Sequence, residues 1–213
     1  MDAKRPLLVL GTRTLAEEVA DLATDAEFEV AGFVENMDRG RTGDLNGLPI
    51  HWIGDTAGLA SKHLAVCGLA TTHRSRFVEE ATELGFRFAT VLHPSARLSS
   101  TSLAGEGSIL SAGAIVGAHT TLGRHVLVNR GALIGHHTRV ADYVSVHPGA
   151  NLAGACTIGE GAYIGMGAVV LDHLSVGAHA IVGAGAVVTK DVPERVQVVG
   201  VPARIVKEGV EGR

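Results

Sequence analysis

The sequence is short of cysteine, of aromatic rings and of positive charge. Cys67 and Cys156 are its only cysteines, too few for a disulfide framework, so a reducing, cytoplasmic setting is the expectation. Lys and Arg number 18 against 22 Asp and Glu, a net charge of −4. That argues against a nucleic-acid-binding protein, where a basic excess is usual. No apolar run approaches the roughly 18 residues of a membrane span. Near the start only Leu7 to Leu10 are continuously apolar, too few for a signal-peptide core. Six prolines beside 28 glycines exclude collagen-like sequence.

Aromatic residues are only 8 of 213, although 46% of the chain is apolar. The core must therefore be aliphatic. Glycine stands at about 13% against an average of about 7%, and so much glycine directs attention to repeats. Stepping by six from Leu98, the positions Leu98, Ala104, Leu110, Val116, Leu122, Val128, Ile134, Val140, Val146, Leu152, Ile158, Ile164, Val170, Val176, Val182 and Val188 include 15 of 16 that are Leu, Ile or Val. Those types make only 56 of the 213 residues. Four places after each stands a small or compact residue, such as Ser108, Ala132, Thr138 and Cys156. The place directly after is often glycine, as at Gly105, Gly117, Gly123, Gly135, Gly159, Gly165, Gly177 and Gly183. These glycines are expected to supply the backbone conformations of tight corners.

A period of six fits a short strand and a corner, repeated. Three such units close a triangular coil whose aliphatic side chains point inward and stack along its axis. Residues 98–188 make about five coils, a prism roughly 24 Å tall at strand spacing. Cys156 falls at an inward position and reads as core rather than as a nucleophile.

Residues 6–92 read differently. Strands are expected at Pro6–Leu10, Phe28–Val34, Leu48–Ile53, Leu64–Cys67 and Arg87–Leu92, with helices over Thr14–Thr24 and Arg74–Leu84. This alternation predicts a small parallel α/β unit, joined to the prism at His93-Pro94. Ligands of such units sit at the carboxyl ends of the strands, which gathers Gly11, Thr12, Arg13, Thr14, Glu35, Asn36 and Gly68 around one crevice. The glycine fingerprint of dinucleotide sites is absent after Gly11, so an ordinary NAD site is not expected.

Seven of the eleven histidines lie in the prism. Positions three hexapeptides apart share a place on successive coils, so His119, His137, Ala155 and His173 form one column, and Ala118, His136, Gly154 and Asp172 its neighbour. His125 and His179 are expected to be solvated corners. His136 and His137 are expected near Asn129 and His147. An imidazole with a pKa of about 6.5 suits a general base. The zinc site of prism-type carbonic anhydrases needs two histidines separated by four residues. No pair here has that spacing, and no metal is expected.

An α/β unit followed by hexapeptide coils resembles the bacterial nucleotide-sugar acetyltransferases, the sialic-acid O-acetyltransferases and the UDP-4-amino-sugar and GDP-perosamine N-acetyltransferases among them. The strongest stretches are Val128-Asn-Arg-Gly-Ala-Leu-Ile-Gly-His136, Asn151-Leu-Ala-Gly154 and Ile158-Gly-Glu-Gly-Ala-Tyr-Ile-Gly-Met-Gly167, with the ending Val199-Gly-Val-Pro-Ala-Arg204. The resemblance implies a β-solenoid, a left-handed parallel β-helix of hexapeptide repeats, with a small Rossmann-like α/β domain before it. It implies His136 as catalytic base, Asn129 near the acceptor sugar and the Gly154 amide on the thioester oxygen. It implies acetyl-CoA as co-substrate in a groove between prisms of a homotrimer, lined by Met166 and Ala184, with His147 in place of the acetyl-binding histidine. The nucleotide sugar is implied at Arg13, Thr14, Glu35, Asn36 and Gly68. The chain departs from the family in Gly11-Thr-Arg-Thr14 and in His137, where relatives carry the Asp or Glu that orients the base.

The expectation is thus a nucleotide-sugar-binding domain over residues 1–93, an acyltransferase domain over 94–192 and a tail over 193–213. The chain would transfer an acyl group directly to an amine or hydroxyl of a nucleotide-linked sugar. The alternatives are a longer acyl donor, a different acceptor, a prism metalloenzyme, or a non-catalytic trimer that binds sugar nucleotides. If no carboxylate such as Asp142 orients His136, His137 is expected to tune it.

Overall fold

The computed structural model describes residues 6–213; residues 1–5 of the expected first domain lie outside the described residues. The chain forms two compact units. One runs to Ala70 and resumes over Arg74–His93; the other comprises Thr71–His73 and Pro94–Arg213.

In the first unit, β1 (Leu7–Leu10), β2 (Val30–Glu35), β3 (Gly43–Leu45), β4 (Leu48–Trp52), β5 (Leu64–Cys67) and β6 (Arg87–Phe88) form one sheet in the order β3-β4-β2-β1-β5-β6. Only the edge strand β3 is antiparallel, to β4. All four residues of β1 are fully buried, which is why its apolar run is uninterrupted rather than alternating. Helix α1 (Thr14–Asp25) joins β1 to β2 and buries Ala16, Val19, Ala20, Leu22 and Ala23. Helix α2 (Ser75–Glu83) joins β5 to β6 and buries Phe77, Val78 and Ala81. The expected single strand over Arg87–Leu92 is instead two short pieces, β6 and Val91–Leu92. The chain leaves β1 first toward β2 and β4, then returns to its other side with β5 and β6. The carboxyl ends of β1 and β5 therefore flank a switch point, where open parallel sheets bind ligands.

In the second unit, sixteen two-residue strands from Arg97–Leu98 to Val187–Val188 recur every six residues and fall in turn on three parallel faces. The first face holds Arg97–Leu98, Ile115–Val116, Leu133–Ile134, Asn151–Leu152, Val169–Val170 and Val187–Val188. The second holds Leu103–Ala104, Thr121–Leu122, Arg139–Val140, Thr157–Ile158 and Ser175–Val176. The third holds Ile109–Leu110, Leu127–Val128, Ser145–Val146, Tyr163–Ile164 and Ile181–Val182. Each strand pairs with the one three hexapeptides on, as Leu133 with Asn151 and Ile134 with Leu152. The inward aliphatic residues from Leu110 to Val188 are at most 3% exposed. At the second inward position Ser102, Thr120 and Thr138 are buried too, and each hydroxyl is satisfied twice. Thr120 donates to the Gly135 carbonyl at 2.8 Å and accepts from the Thr138 amide at 3.2 Å. Thr138 does the same with the Ala153 carbonyl and the Cys156 amide. Pairing of this kind offsets the cost of taking the hydroxyls out of water.

Two sets of glycines serve two purposes, and the expected one belongs to the other set. Gly117, Gly135, Gly159 and Gly177 do not have a left-handed backbone; a Cβ at Gly135 would lie 2.5 Å from the Ala153 carbonyl carbon of the next rung. These glycines permit rungs to approach. The left-handed corners lie two residues further on, at Gly113, Gly131, Gly149, Gly161, Gly167 and Gly185, and also at His119, His125, His137, Tyr143, Ala155, His173 and His179. Histidine is enriched in that region among residues with a side chain, which accounts for many of the prism's histidines.

Past the last hexapeptide, Val196–Val199 extends the third face and Arg204–Glu208 folds back antiparallel to it. Among the described residues no helix is long and apolar enough to cross a membrane.

The two glycine classes separate by substitution. Gly159→Ala places a methyl 2.4 Å from the Ala178 amide nitrogen and should destabilise by about 1–3 kcal/mol or more. Gly149→Ala meets open space at a φ of 67° and should cost about 1–2 kcal/mol. Asparagine, which tolerates that φ, should recover most of the loss at position 149 and none at 159. Denaturant midpoints of the four variants check this; asparagine rescue at 159 would contradict the close-approach account.

Candidate active site

Three edges join the faces, and each collects the corner residues of successive rungs. The edge between the first and second faces carries His119, His136, His137, Gly154, Ala155, Asp172 and His173, because each follows a first-face strand. His136 and Gly154 are one rung apart, and the imidazole lies against the glycine. A Cβ at Gly154 would stand 2.6 Å from Cε1 and 2.7 Å from Nε2 of His136. Only glycine leaves room for that ring. Among the described residues no acceptor meets the Gly154 amide, so the N–H is available beside Nε2. The carbonyls of Gly135 and Ala153, just before His136 and Gly154, are those held by Thr120 and Thr138.

His137 lies beside His136, with 3.1 Å between their Nδ1 atoms and rings nearly perpendicular at 85°. Asp142, the carboxylate that sequence left open as a partner of His136, stands on the edge between the second and third faces. There Arg124 holds it, through its backbone amide at 2.8 Å and Nε at 2.9 Å. Burial pulls the Asp142 carboxyl upward, but these bonds and the guanidinium charge outweigh it and hold it below its ordinary value. Asp172 pairs with its neighbour His173 at 3.7 Å.

Asn129, His147, Met166 and Ala184 all follow third-face strands and share the edge between the third and first faces. Within one chain Asn129 and His147 are therefore not beside His136, where column arithmetic places them. The column rule relates residues a whole rung apart and not those on neighbouring corners. Asn129 is buried, its Oδ1 accepting from the Arg130 amide at 2.7 Å. His147 is buried against Tyr163, ring to ring at 4.2 Å, and Tyr163 in turn receives Arg213 on its hydroxyl at 3.1 Å. Met166 and Ala184 are exposed.

His125, expected in solvent, is only 6% exposed. Its ring stacks on Tyr143, one rung on, at 5.3 Å and 5°. His179 is half-buried, close against Gly161. Two thiols are buried: burial pushes Cys67 up to about 11 despite Arg74, and Cys156 donates to the Leu171 carbonyl at 3.2 Å and is also raised by burial. Neither offers a thiolate nucleophile at neutral pH. Among the described residues no group of three or more His, Cys, Asp or Glu side chains is placed to hold a metal ion.

In the first unit the structure brings Glu35 to Thr12. Glu35 is 6% exposed and every oxygen is occupied. Oε2 accepts from the Thr12 hydroxyl and lies 3.9 Å from Arg41 Nε, while Oε1 accepts from the amides of Asn36 at 3.0 Å, Met37 at 2.8 Å and Asp38 at 3.4 Å. The carboxylate thus shapes the loops after β1 and β2. Asn36 donates to Glu80 of α2 at 2.8 Å. A Cβ at Gly68 would stand 2.7 Å from Ala16 Cα, so this glycine lets α1 sit on the end of β5. Arg13 and Thr14 are exposed at the start of α1. Sequence reading missed Arg41, Glu80 and Tyr163 as supports. Tyr163 lies one rung after Ser145 and was reachable by the column rule; the other two become neighbours only through the sheet order.

Residues 155–190 match the bacterial transferase hexapeptide family (six repeats). A comparison with curated proteins returns no match. Among solved structures, a mutant perosamine N-acetyltransferase from Caulobacter crescentus, in complex with CoA and GDP-perosamine, superposes with a TM-score of 0.89 at 28% identity, covering 97% of this chain and 99% of that one. The acetyltransferase domain of PglB from Neisseria gonorrhoeae FA1090 gives 0.87 at 32% identity, with 95% and 100% covered. WeeI from Acinetobacter baumannii AYE gives 0.85 at 30%, with 94% and 99% covered.

The Glu35 cluster makes a pH prediction. Burial raises this carboxyl, but the Thr12 hydroxyl and the three amides outweigh burial and lower it beneath its ordinary value of 4.5. A carboxyl depressed in the folded state adds stability that is complete above its unfolded value and is lost as pH falls through the folded one. Wild type should therefore lose stability below about pH 4.5 more steeply than Glu35→Gln. Denaturant midpoints of the two between about pH 3 and 6, if parallel, would contradict this role.

Proposed function

The chain belongs to the nucleotide-sugar acetyltransferases of the hexapeptide superfamily, and from that premise we propose that it transfers an acetyl group from acetyl-CoA to an amine or hydroxyl of a nucleotide-linked sugar, with His136 as general base. The observation that carries this is the contact of His136 Nε2 with Gly154, whose amide has no acceptor among the described residues. A base and an amide donor thus lie side by side on one edge. His136 Nε2 takes the proton of the acceptor as its nitrogen or oxygen bonds to the thioester carbon. The Gly154 amide meets the oxygen on which charge develops, a contribution of about 3 kcal/mol to the lowered barrier. His136 then returns the proton to the departing sulfur, so no protein group is acylated.

The coil is proposed to be a left-handed parallel β-helix, and the first unit a Rossmann-like domain that receives the nucleotide sugar. Arg13 and Thr14 lie exposed at the N-terminal end of α1, whose dipole suits a diphosphate. Glu35, Asn36 and Gly68 would shape that crevice. A homotrimer is proposed because the outward column of the first face is apolar and open: Ile115 is 43% and Leu133 38% exposed, with Val169 and Val187 half-buried in line. Packing first faces around an axis parallel to the coil would set the first–second edge of one subunit beside the third–first edge of the next. His136 and Gly154 would then face Asn129, His147, Met166 and Ala184 of the partner subunit, which explains why one chain holds them on separate edges.

Two measurements test the reading. His136→Ala should lower kcat by roughly 10²–10⁴ with the KM for acetyl-CoA nearly unchanged, followed as acetyl-CoA consumption with a panel of UDP- and GDP-linked amino sugars. Wild-type turnover in this variant would remove His136 from the role. Leu133→Asp should yield folded monomers by sedimentation and abolish turnover together with the trimer. A fully active monomer would overturn the two-edge site.

A further inference from the structure

The edge that carries His136 holds two more imidazoles, and their arrangement has a use beyond packing. His137 Nδ1 is 3.1 Å from His136 Nδ1. One rung earlier, the ring of His119 lies 4.9 Å from that of His137, tilted by 44°. Both His119 and His137 are fixed at left-handed corners, with φ of 56° and 57°. The His137 amide bonds to the Ala118 carbonyl at 2.8 Å, and the His119 amide to the Thr101 hydroxyl at 3.0 Å. Among the described residues, the ring contacts of His137 are His119 and His136.

Two imidazole nitrogens at this distance share one hydrogen: one donates and the other accepts. Nε2 of His136 is the atom beside Gly154. For Nε2 to take up a proton, the neutral ring must carry its hydrogen on Nδ1. His137 Nδ1 must then accept, and His137 must carry its own hydrogen on Nε2. We propose that His137, held in place by the ring of His119, fixes His136 as the Nδ1–H tautomer and keeps accepting that N–H while Nε2 is transiently protonated. The inference rests on the reading of His136 as the base. A carboxylate in this place would attract the N–H by charge over a range of orientations. A neutral imidazole offers one lone pair in the ring plane and must be aimed. His119 supplies the aim and is a positioning residue, while the carboxylates in view are engaged elsewhere, Asp142 by Arg124 and Asp172 beside His173.

The test is nitrogen-15 NMR of the histidine-labelled full chain at a pH where the imidazoles are neutral, with His136→Gln and His137→Asn assigning the signals. His136 should show a protonated Nδ1 and a bare Nε2, and His137 the reverse. His119→Ala, which a left-handed corner accepts at Ala155, should shift His136 toward a mixture of tautomers and lower kcat roughly tenfold with little change in KM. His119→Tyr keeps a ring and has a precedent at the Tyr143 corner; it should restore both tautomer and turnover. His137→Asp should retain more activity than His137→Ala. A wild-type His136 protonated mainly on Nε2 would overturn the inference without any variant, as would His119→Ala with tautomer and kcat unchanged. If His136→Gln itself keeps full turnover, the assignment of the base fails instead. If His136 is required but its tautomer is the other one, only the role of His137 and His119 fails.

Discussion

The register of one rung on the next governs the second unit. Backbone pairing at a spacing of three hexapeptides, as between Leu133 and Asn151, converts a linear repeat into columns. One column is the aliphatic stack of the interior. Another is the row of glycines without which rungs could not approach. The edges are columns too, and chemistry collects on them because a corner side chain points away from the core while its backbone is held by the rungs beside it. His136 meets Gly154 for no other reason than that spacing. Along the edge of His136, the buried Ser102, Thr120 and Thr138 hydroxyls hold the same register from inside, each bonding a carbonyl of the next rung.

Legibility followed the same logic. The period of six was plain because Val, Leu and Ile must recur wherever the chain turns inward, and the pairing of His136 with Gly154 followed by arithmetic. Column arithmetic is silent about which side chains lean inward at a corner, so the stacking of His125 on Tyr143 was out of reach although both residues were in plain sight. It also misled for Asn129 and His147, whose place relative to His136 within one chain depends on which edge each occupies. After Val188 the spacing slips, Ile181 pairing with Gln197, and the strand over Val196–Val199 could not be read from the repeat. In the first unit the strand ends were found, but not that Glu35 has both oxygens occupied by Thr12, Arg41 and three amides. Those donors come from two separate loops that only the sheet order brings together.

Two of the edges differ in how they treat charge. Between the second and third faces Arg124 and Asp142 neutralise each other. The edge of His136 gathers imidazoles and a glycine, with Asp172 two rungs away from His136. On the proposed reading, a hydrogen bond between neutral rings depends on alignment more than on charge, and the site would rely on the stiffness of its scaffold. The left-handed corners supply that stiffness, since each fixes the direction in which its side chain leaves the backbone.

The three-faced coil also sets which changes of length the chain can absorb. Adding three hexapeptides inserts a whole rung and returns every later residue to its own edge. Adding one hexapeptide preserves each inward aliphatic residue yet moves everything downstream round by one face. Such an insertion between His136 and Gly154 would leave a well-packed interior and a continuous hydrogen-bond network, with Gly154 facing a different side of the coil. Whole rungs added before His136 or after Gly154 would leave that pair together, whereas between them the spacing is fixed at one rung, because even three added hexapeptides would set Gly154 a rung further from the imidazole.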